Sequence, residues 1–245
     1  LEEDTDLYTD IRNLNQAFIK WAQIGLPYVQ MKAAVTLDGK IATRSGESKW
    51  ITGASARAHA RRERSLADAV LVGAGTVEAD DPELAAHGKY AKKNLLRVVI
   101  DPTLSLDFKK KVFRDEHVFV ACTDKASTKQ QKRFRRAGVV FASFGQKRVS
   151  FKKLFQYLGK RYITHVFVEG GGTIHGFLYD EALRDRMVLD KVSFYIAPKI
   201  IGGKKAVSAV GGRGAKMLAS CIALSDIRME LIGEDMHVSG DINRY

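Results

Sequence analysis

The chain has 245 residues, 45% of them hydrophobic, enough to bury a full core as one large domain or one domain with a small appendage, which excludes a disordered tail. No run approaches the roughly 18 apolar residues of a membrane-spanning helix, and the N-terminus lacks the charged and apolar regions of a signal peptide, so no membrane partner is expected. Basic residues outnumber acids by 12, but residues 104–161 alone hold 16 Lys and Arg against four Asp and Glu, so the basic character belongs to one subregion and the rest is about neutral.

Residues 1–24 open on Glu2, Glu3, Asp4 and Asp6 and continue to Leu14, Phe18 and Trp21 at helical spacing, which predicts a short amphipathic lead-in stopped by Gly25 and Pro27. The chain begins at Leu1 rather than Met, and a piece of a longer protein is expected. Residues 28–35 have the β-branched and aromatic enrichment of a strand, Asp38-Gly39 signals a tight turn, and Ile41-Ala42 resumes the strand. A polar Ser45-Gly46-Glu47-Ser48 loop then ends on Trp50, the pattern of a ligand-covering loop hung from a buried strand.

Residues 52–55 read as a helix entry and 56–67 as the helix, with Arg57, Arg61, Arg62 and Arg64 mostly on a solvated face. A short apolar strand over 68–73 ends in Gly73-Ala74-Gly75-Thr76, where glycine lets backbone approach a ligand and Thr76 is placed to cap a following helix. Strands over 95–100, 118–122 and 139–141 alternate with helices over 127–137 and 150–158, a βαβ rhythm that predicts parallel pairing. The strand at 165–169 runs into Gly170-Gly171-Gly172-Thr173 and a helix to about Tyr179. After a strand at 191–196, the segments near 227–232 and 236–242 alternate like antiparallel strands. With no internal repeat and no low-complexity linker, one α/β domain fits.

Glycines at the start of a helix expose unpaired backbone N–H groups and the positive dipole end, so the strand-Glu169-Gly170-Gly171-Gly172-Thr173-helix segment reads as a pyrophosphate cradle. Spacing alone equally allows a plain tight strand-to-helix turn. Glu169, at the carboxyl end of a parallel strand, is either a ligand contact or an exposed strand-end acid. Asp80 and Asp81 have no His or third acid at ligand spacing, and a turn held by Pro82 is favoured over a metal pair. Cys122 and Cys221 lack a Cys-x-x-Cys companion and read as two small buried hydrophobes in a reducing compartment. The six histidines show no shared spacing and no Gly-x-Ser-x-Gly occurs. The basic run 129–136 reads as a solvated helix face, or more sharply as a contact for an anionic ligand.

Five collinear blocks carry a resemblance. They are Leu37-Asp38-Gly39-Lys40-Ile41-Ala42 with Ser45 to Thr52, Val72 to Thr76, Ala79-Asp80-Asp81-Pro82, Val168 to Gly171, and Ala197-Pro198-Lys199 with Gly202-Gly203. Over roughly residues 12–243 the chain resembles the reductase domain of riboflavin biosynthesis, the C-terminal half of the bifunctional pyrimidine deaminase/reductase. That resemblance implies a dihydrofolate-reductase-like α/β fold, a mostly parallel central sheet with flanking helices and antiparallel C-terminal strands. It implies residues 1–26 as a lead-in from a missing deaminase domain and 27–245 as the reductase domain. The implied activity is NADPH-dependent reduction of the ribosyl group of a phosphorylated ribosylaminopyrimidine to its ribityl form. The implied setting is the cytoplasm, or an organelle stroma in a plant or alga, and the implied assembly a homodimer or higher homo-oligomer cooperating with a deaminase.

Carried over by position, the resemblance implies Lys32, Asp80 and Glu169 around the reacting ribose. It implies Ser48, Arg64, Leu84, His87 and Glu169 against substrate. Against NADPH it implies Ala34, Trp50, Thr76 and Asp80, with Gly171, Gly172, Thr173, Ile174, His175, Gly176 and Phe177 of the glycine turn and its helix; it implies no metal. Two departures stand out: His87 occupies a place usually held by a phosphate-binding arginine, and Pro102 follows the strand end where a small residue is usual. The zinc motif of a deaminase, His-x-Glu with Pro-Cys-x-x-Cys, is absent from the sequence. Competing readings are a pterin or dihydrofolate-type reductase, a catalytically impaired partner of a separate deaminase, and a basic nucleic-acid-binding module; the last lacks aromatics at stacking spacing, so no nucleic-acid partner is expected.

Overall fold

The apolar runs fold as strands buried on both faces. In the computed structural model, which describes Ile11 and residues 14–243, every residue of β3 (Ala69–Gly73) and β5 (Val118–Cys122) is buried, as central strands of a parallel sheet must be. With β1 (Tyr28–Thr36), β4 (Leu96–Ile100), β6 (Val140–Ser143), β7 (His165–Val168) and β8 (Lys191–Ala197) they form seven parallel strands. The hairpin of β10 (Leu224–Ile232) and β11 (Asp235–Ile242) adds antiparallel to β8, completing a nine-stranded sheet in the order β10-β11-β8-β1-β7-β3-β4-β5-β6. This is the architecture expected from the sequence.

The two sheet faces carry separate cores. One holds Met31, Leu71, Val98 and Val168 against α5 (Phe151–Gly159) and α6 (Gly172–Ala182). The other holds Val70, Val72, Val99 and Val120 against α3 (Ala74–Asp80), α4 (Thr128–Arg136) and the connection after β4. Nearer β8 that second face is covered by α2 (Ala54–Leu66), whose Ala56 and Ala60 pack on Tyr195. Strand alternation puts Lys32 and Ala34 of β1 on this α2 side. A short pair, β2 (Lys40–Ala42) with β9 (Val207–Ser208), lies apart from the main sheet, and the β9 strand was not expected from the sequence.

Several sequence expectations need correction. The lead-in helix exists as α1 (Gln16–Ile24) and ends at a left-handed Gly25, but Leu14 and Phe18 are exposed. What docks α1 is polar: Lys20 is buried on Asp190 at 2.6 Å, and the Trp21 indole N–H donates to the Gly159 carbonyl at 2.8 Å. The acidic patch at residues 2–6 lies outside the described residues. Thr76 does not cap α3, because that helix starts two residues earlier with Gly73 in the cap position. Asp80 and Asp81 close α3 rather than opening a turn, Asp81 in a left-handed conformation. Cys122 is buried but Cys221 is exposed.

Candidate active site

The chain leaves β1, runs out to β3, β4, β5 and β6, then returns to insert β7 between β1 and β3 before placing β8 on the far side of β1. The carboxyl ends of β1, β7 and β3 therefore converge where the strand order reverses, the place where open α/β sheets bind ligands. Two adjoining cavities open there, of about 610 and 700 Å³. They share one wall: Lys32, Ala34, Ile41, Ser48, Thr76, Asp80 and Glu169 line both.

One cavity, the glycine lobe, is lined by Gly73 to Thr76, Ile100, Pro102, Arg148, Phe151, Gly170 to His175 and Phe177. Its glycines do different jobs. A Cβ on Gly172 would sit 2.3 Å from the Ser208 carbonyl, and one on Gly170 2.5 Å from Ile174, so these two are needed for packing. A Cβ on Gly171 would meet nothing nearer than the Thr76 hydroxyl at 3.8 Å. Gly171 is the N-cap of α6, with no side chain capping it. The first-turn N–H groups of α6 thus face a roomy lobe, and no side chain among the described residues accepts from them, which suits a pyrophosphate. The turn is close-packed at Gly170 and Gly172 and open at Gly171.

His175 is buried, its Nδ1 3.0 Å from the Ala209 carbonyl, and burial pushes its pKa down to about 4, so it meets the lobe as a neutral ring. Gly176 lines neither lobe; a Cβ there would lie 2.2 Å from Gly211 backbone, so it seats the 211–212 loop on α6.

The other cavity, the arginine lobe, is lined by Trp50, Arg57, Arg61, Arg64, Leu84, His87, Lys111 and Tyr195 among others. Trp50 belongs here and not to the glycine lobe; it is 61% exposed and carries the Arg57 guanidinium 4.4 Å above its ring. Of the α2 arginines, Arg64 is buried, donating from Nη1 to Glu169 at 3.0 Å and from Nε to the Ala85 carbonyl at 3.2 Å. His87 is held by its backbone N–H on Ser65, and its pKa is lowered by burial and then by Arg64 and Arg61. The positive character a phosphate needs therefore sits on Arg61, Arg57 and Lys111 around a neutral His87. Lys111 and the Lys49–Asp80 ion pair, 3.0 Å long, were not foreseen.

The loop opening the cleft is tied down at both ends. Asp38 accepts from the Gly202 N–H at 2.7 Å and the Thr36 hydroxyl at 2.6 Å, and the Thr36 bond with that to Gly202 pulls its pKa to about 2. Lys199 donates to the Trp50 and Ile51 carbonyls at 3.0 and 2.7 Å. The 197–203 loop thus holds the turn and the indole end in register, leaving Ser48 facing both lobes. The basic run of α4 is a solvated face with only Arg133 turned in, donating to the Leu104 and Leu106 carbonyls, and it lines neither lobe.

The family described as the RibD C-terminal domain matches residues 27–238. The chain belongs to the RibD C-terminal domain family. It is 38% identical over 227 residues to the riboflavin biosynthesis protein RibD of Actinobacillus pleuropneumoniae, covering 91% of this chain and 59% of that protein. The chain thus spans about three fifths of that relative's length. Among solved structures, RibD of Acinetobacter baumannii superposes with a TM-score of 0.80 at 26% identity, over 95% of this chain and 62% of that one. A diaminohydroxyphosphoribosylaminopyrimidine deaminase/5-amino-6-(5-phosphoribosylamino)uracil reductase from Thermotoga maritima gives 0.78 at 27%, over 97% and 62%. Dihydrofolate reductase from Enterococcus faecalis, at 10% identity and a TM-score of 0.50 over 88% of this chain and 96% of that one, shares the fold alone. The dihydrofolate-reductase-like architecture expected from the resemblance is therefore observed.

Proposed function

We propose that this chain is the NADPH-dependent reductase of 5-amino-6-(5-phosphoribosylamino)uracil, or of its 2,5-diamino pyrimidinone counterpart, with residues 27–245 as the reductase domain and 1–26 as a lead-in. The observation that carries this reading is the shared wall: one cation and two carboxylates, Lys32, Asp80 and Glu169, stand between a cavity floored by a glycine turn at a helix start and a cavity rich in arginine and lysine. Bound in the glycine lobe, the nicotinamide would supply a hydride to the substrate's C1′. Gly171 to Ile174, Thr76 and Phe177 would hold the dinucleotide, with Ala34 leaving room at the wall and Asp80 fixed by Lys49. Trp50, once expected against the cofactor, is better suited to closing the arginine lobe.

On the substrate side, Arg61, Lys111 and the Ser48 hydroxyl suit a 5′-phosphate, while Glu169 is held by Arg64 so that its free lone pairs can take ribose hydroxyls. Reduction needs the ribosyl ring opened to an imine: the C1′–O4′ bond breaks, the glycosylamine nitrogen gives up its proton to solvent, and O4′ takes one up. Lys32 would be the donor: among the described residues it has no carboxylate partner, and its ammonium lies 5.8 Å from the Tyr195 ring centre. Hydride at C1′ and a proton at nitrogen then complete the ribityl amine. Substrate-dependent NADPH oxidation is expected with at least one of the two pyrimidines; absence of turnover with both would overturn the proposal. A lobe lined with six lysine and arginine side chains favours a phosphorylated substrate over a pterin.

Preference for NADPH over NADH requires a cation near the adenosine ribose. Of the basic residues in 104–161, Arg148 alone lines the glycine lobe, its guanidinium 5.3 Å over the Phe177 ring and without a carboxylate partner among the described residues. Arg148→Gln is expected to raise KM for NADPH about 10- to 100-fold, the value of a charged hydrogen bond, and leave that for NADH unchanged. Equal losses with both cofactors in steady-state assays would remove Arg148 from this role.

The homodimer expected from the resemblance has a candidate surface in β10. This edge strand exposes Ile227, Met229 and Leu231 at alternate positions, the last two 76% and 75% exposed, beside unpaired backbone groups. Light scattering should find a dimer that Met229→Asp converts to monomer; a wild-type monomer at micromolar concentration would dismiss the surface.

A further inference from the structure

On the α2 face of the sheet, behind the cleft, two pairs made by local rules meet. His59 and Glu63 are four residues apart on α2 and share a helix face. Glu230 and His237 are directly opposed across the β10–β11 hairpin. The hairpin is fastened to α2 by Asp235, which accepts from the Gly53 N–H at 2.7 Å, and the His59 and His237 rings end 5.1 Å apart.

The hydrogens of this cluster can be counted. The Tyr195 and Ser193 hydroxyls both donate to Oε2 of Glu63, at 2.6 and 2.9 Å, which uses the one proton each possesses. The contacts of His59 Nδ1 to the Tyr195 oxygen and of His237 Nε2 to the Ser193 oxygen, both 2.8 Å, must therefore be donated by the imidazoles. A neutral imidazole has a single N–H, so His59 Nε2 and His237 Nδ1 are left as lone pairs. Both face Oε1 of Glu230, at 3.9 and 2.9 Å. Three electron-pair donors from three elements, α2, β10 and β11, thus converge on one place, where a cation would engage all of them.

We propose that His59, His237 and Glu230 bind a divalent first-row transition cation. A proton on His237 Nδ1 would serve the 2.9 Å contact with Glu230 alone, whereas a metal ion would engage all three donors. The surroundings are those of a ligand shell: each imidazole donates its other N–H to a hydroxyl, and both hydroxyls are fixed by one largely buried carboxylate, which sets tautomer and ring angle. Glu63 lies close behind the two rings, its Oε2 4.0 Å from His237 Nε2, and donor atoms of His59, Glu63 and His237 all lie within 4.8 Å of one another. Two imidazoles with a carboxylate suit zinc, cobalt or nickel rather than magnesium or calcium. Glu230 is half exposed, leaving a side open for the ion to enter. Bound there, the ion would fasten α2, which carries Arg57, Arg61 and Arg64, to the hairpin and to Tyr195 beneath Lys32. This proposal stands independently of the reductase reading.

The test is titration of chelator-treated protein with Co²⁺ and then Zn²⁺, followed by visible absorption, calorimetry and thermal melting. One Co²⁺ per chain is expected, displaced by Zn²⁺, with a raised Tm. His59→Gln and Glu230→Gln should each weaken binding at least about tenfold, and Tyr195→Phe by about 10- to 100-fold through loss of ligand orientation. His59 and Glu230 are solvent-accessible, so those variants should fold even if His237→Gln does not. His87→Gln, in the arginine lobe, should bind normally. No stoichiometric binding, or binding unchanged in His59→Gln and Glu230→Gln, overturns the proposal.

Discussion

Lys32→Met is expected to lower kcat by about 100- to 10,000-fold, the range for removing a positioned proton donor, while KM for NADPH and Tm change little. Lys32 is half-buried at the shared wall, and methionine keeps the packing of its stem against Tyr195. What is lost is the one ammonium placed between the lobes. Its neighbours cannot replace it, because Arg64 is committed to Glu169 and Lys49 to Asp80. Steady-state kinetics with a melting curve on the same preparation checks this. A variant retaining more than a tenth of wild-type kcat would take Lys32 out of the chemistry, and one that melts far lower would make it a packing residue.

The second large effect divides two adjacent glycines. Gly172→Ala is expected to destabilise the fold by roughly 1–3 kcal/mol, because its methyl would be forced onto the Ser208 carbonyl, a backbone atom that cannot swing away. Gly171→Ala is expected to fold as wild type, since its φ of −77° suits any residue and its methyl meets only Thr76 at 3.8 Å. That methyl would instead project into the glycine lobe and raise KM for NADPH about tenfold, roughly 1.4 kcal/mol. Thermal melts and cofactor titrations of the pair separate close packing from an anion cradle. Equal losses of Tm with no change in KM would leave the segment a structural turn only.

How much of this was legible in the sequence depended on the range of the interactions. The parallel strands were readable because burial on both faces demands unbroken apolar runs such as Ala69–Gly73 and Val118–Cys122. The helix starts near 127 and 150 were readable to within a residue, and the structure shows why they are sharp: Ser127 and Ser150 cap them, accepting from the Gln130 and Lys153 N–H groups. The direction of α1 was not, because a buried Lys20–Asp190 pair joins residues 170 positions apart and overrides the apolar spacing of Leu14 and Phe18. The two-residue strand β9 was too short to show a period.

In the site, Lys32, Ser48, Thr76, Asp80 and Glu169, singled out through the resemblance, all line the shared wall. Of the residues the resemblance sets against NADPH, Gly176 packs on the Gly211 backbone and lines neither lobe, and Trp50 lines the arginine lobe alone. Arg148 and Lys111 carried no local signal, being two cations among many in a basic segment. The histidine cluster was invisible for the same reason as Lys20: its members lie on α2, β8, β10 and β11 and meet only when the sheet forms.

The shared wall between the two lobes is tested most directly by following the hydride. The purified chain would be incubated with NADPH deuterated at the transferable C4 position and each of the two ribosylaminopyrimidine phosphates in turn, and the product analysed by mass spectrometry and NMR. The expected product is a ribityl compound heavier than its substrate by one deuterium and one hydrogen, with the deuterium on C1′. Recovery of unreduced substrate from both incubations, or of a product without deuterium on C1′, would contradict it.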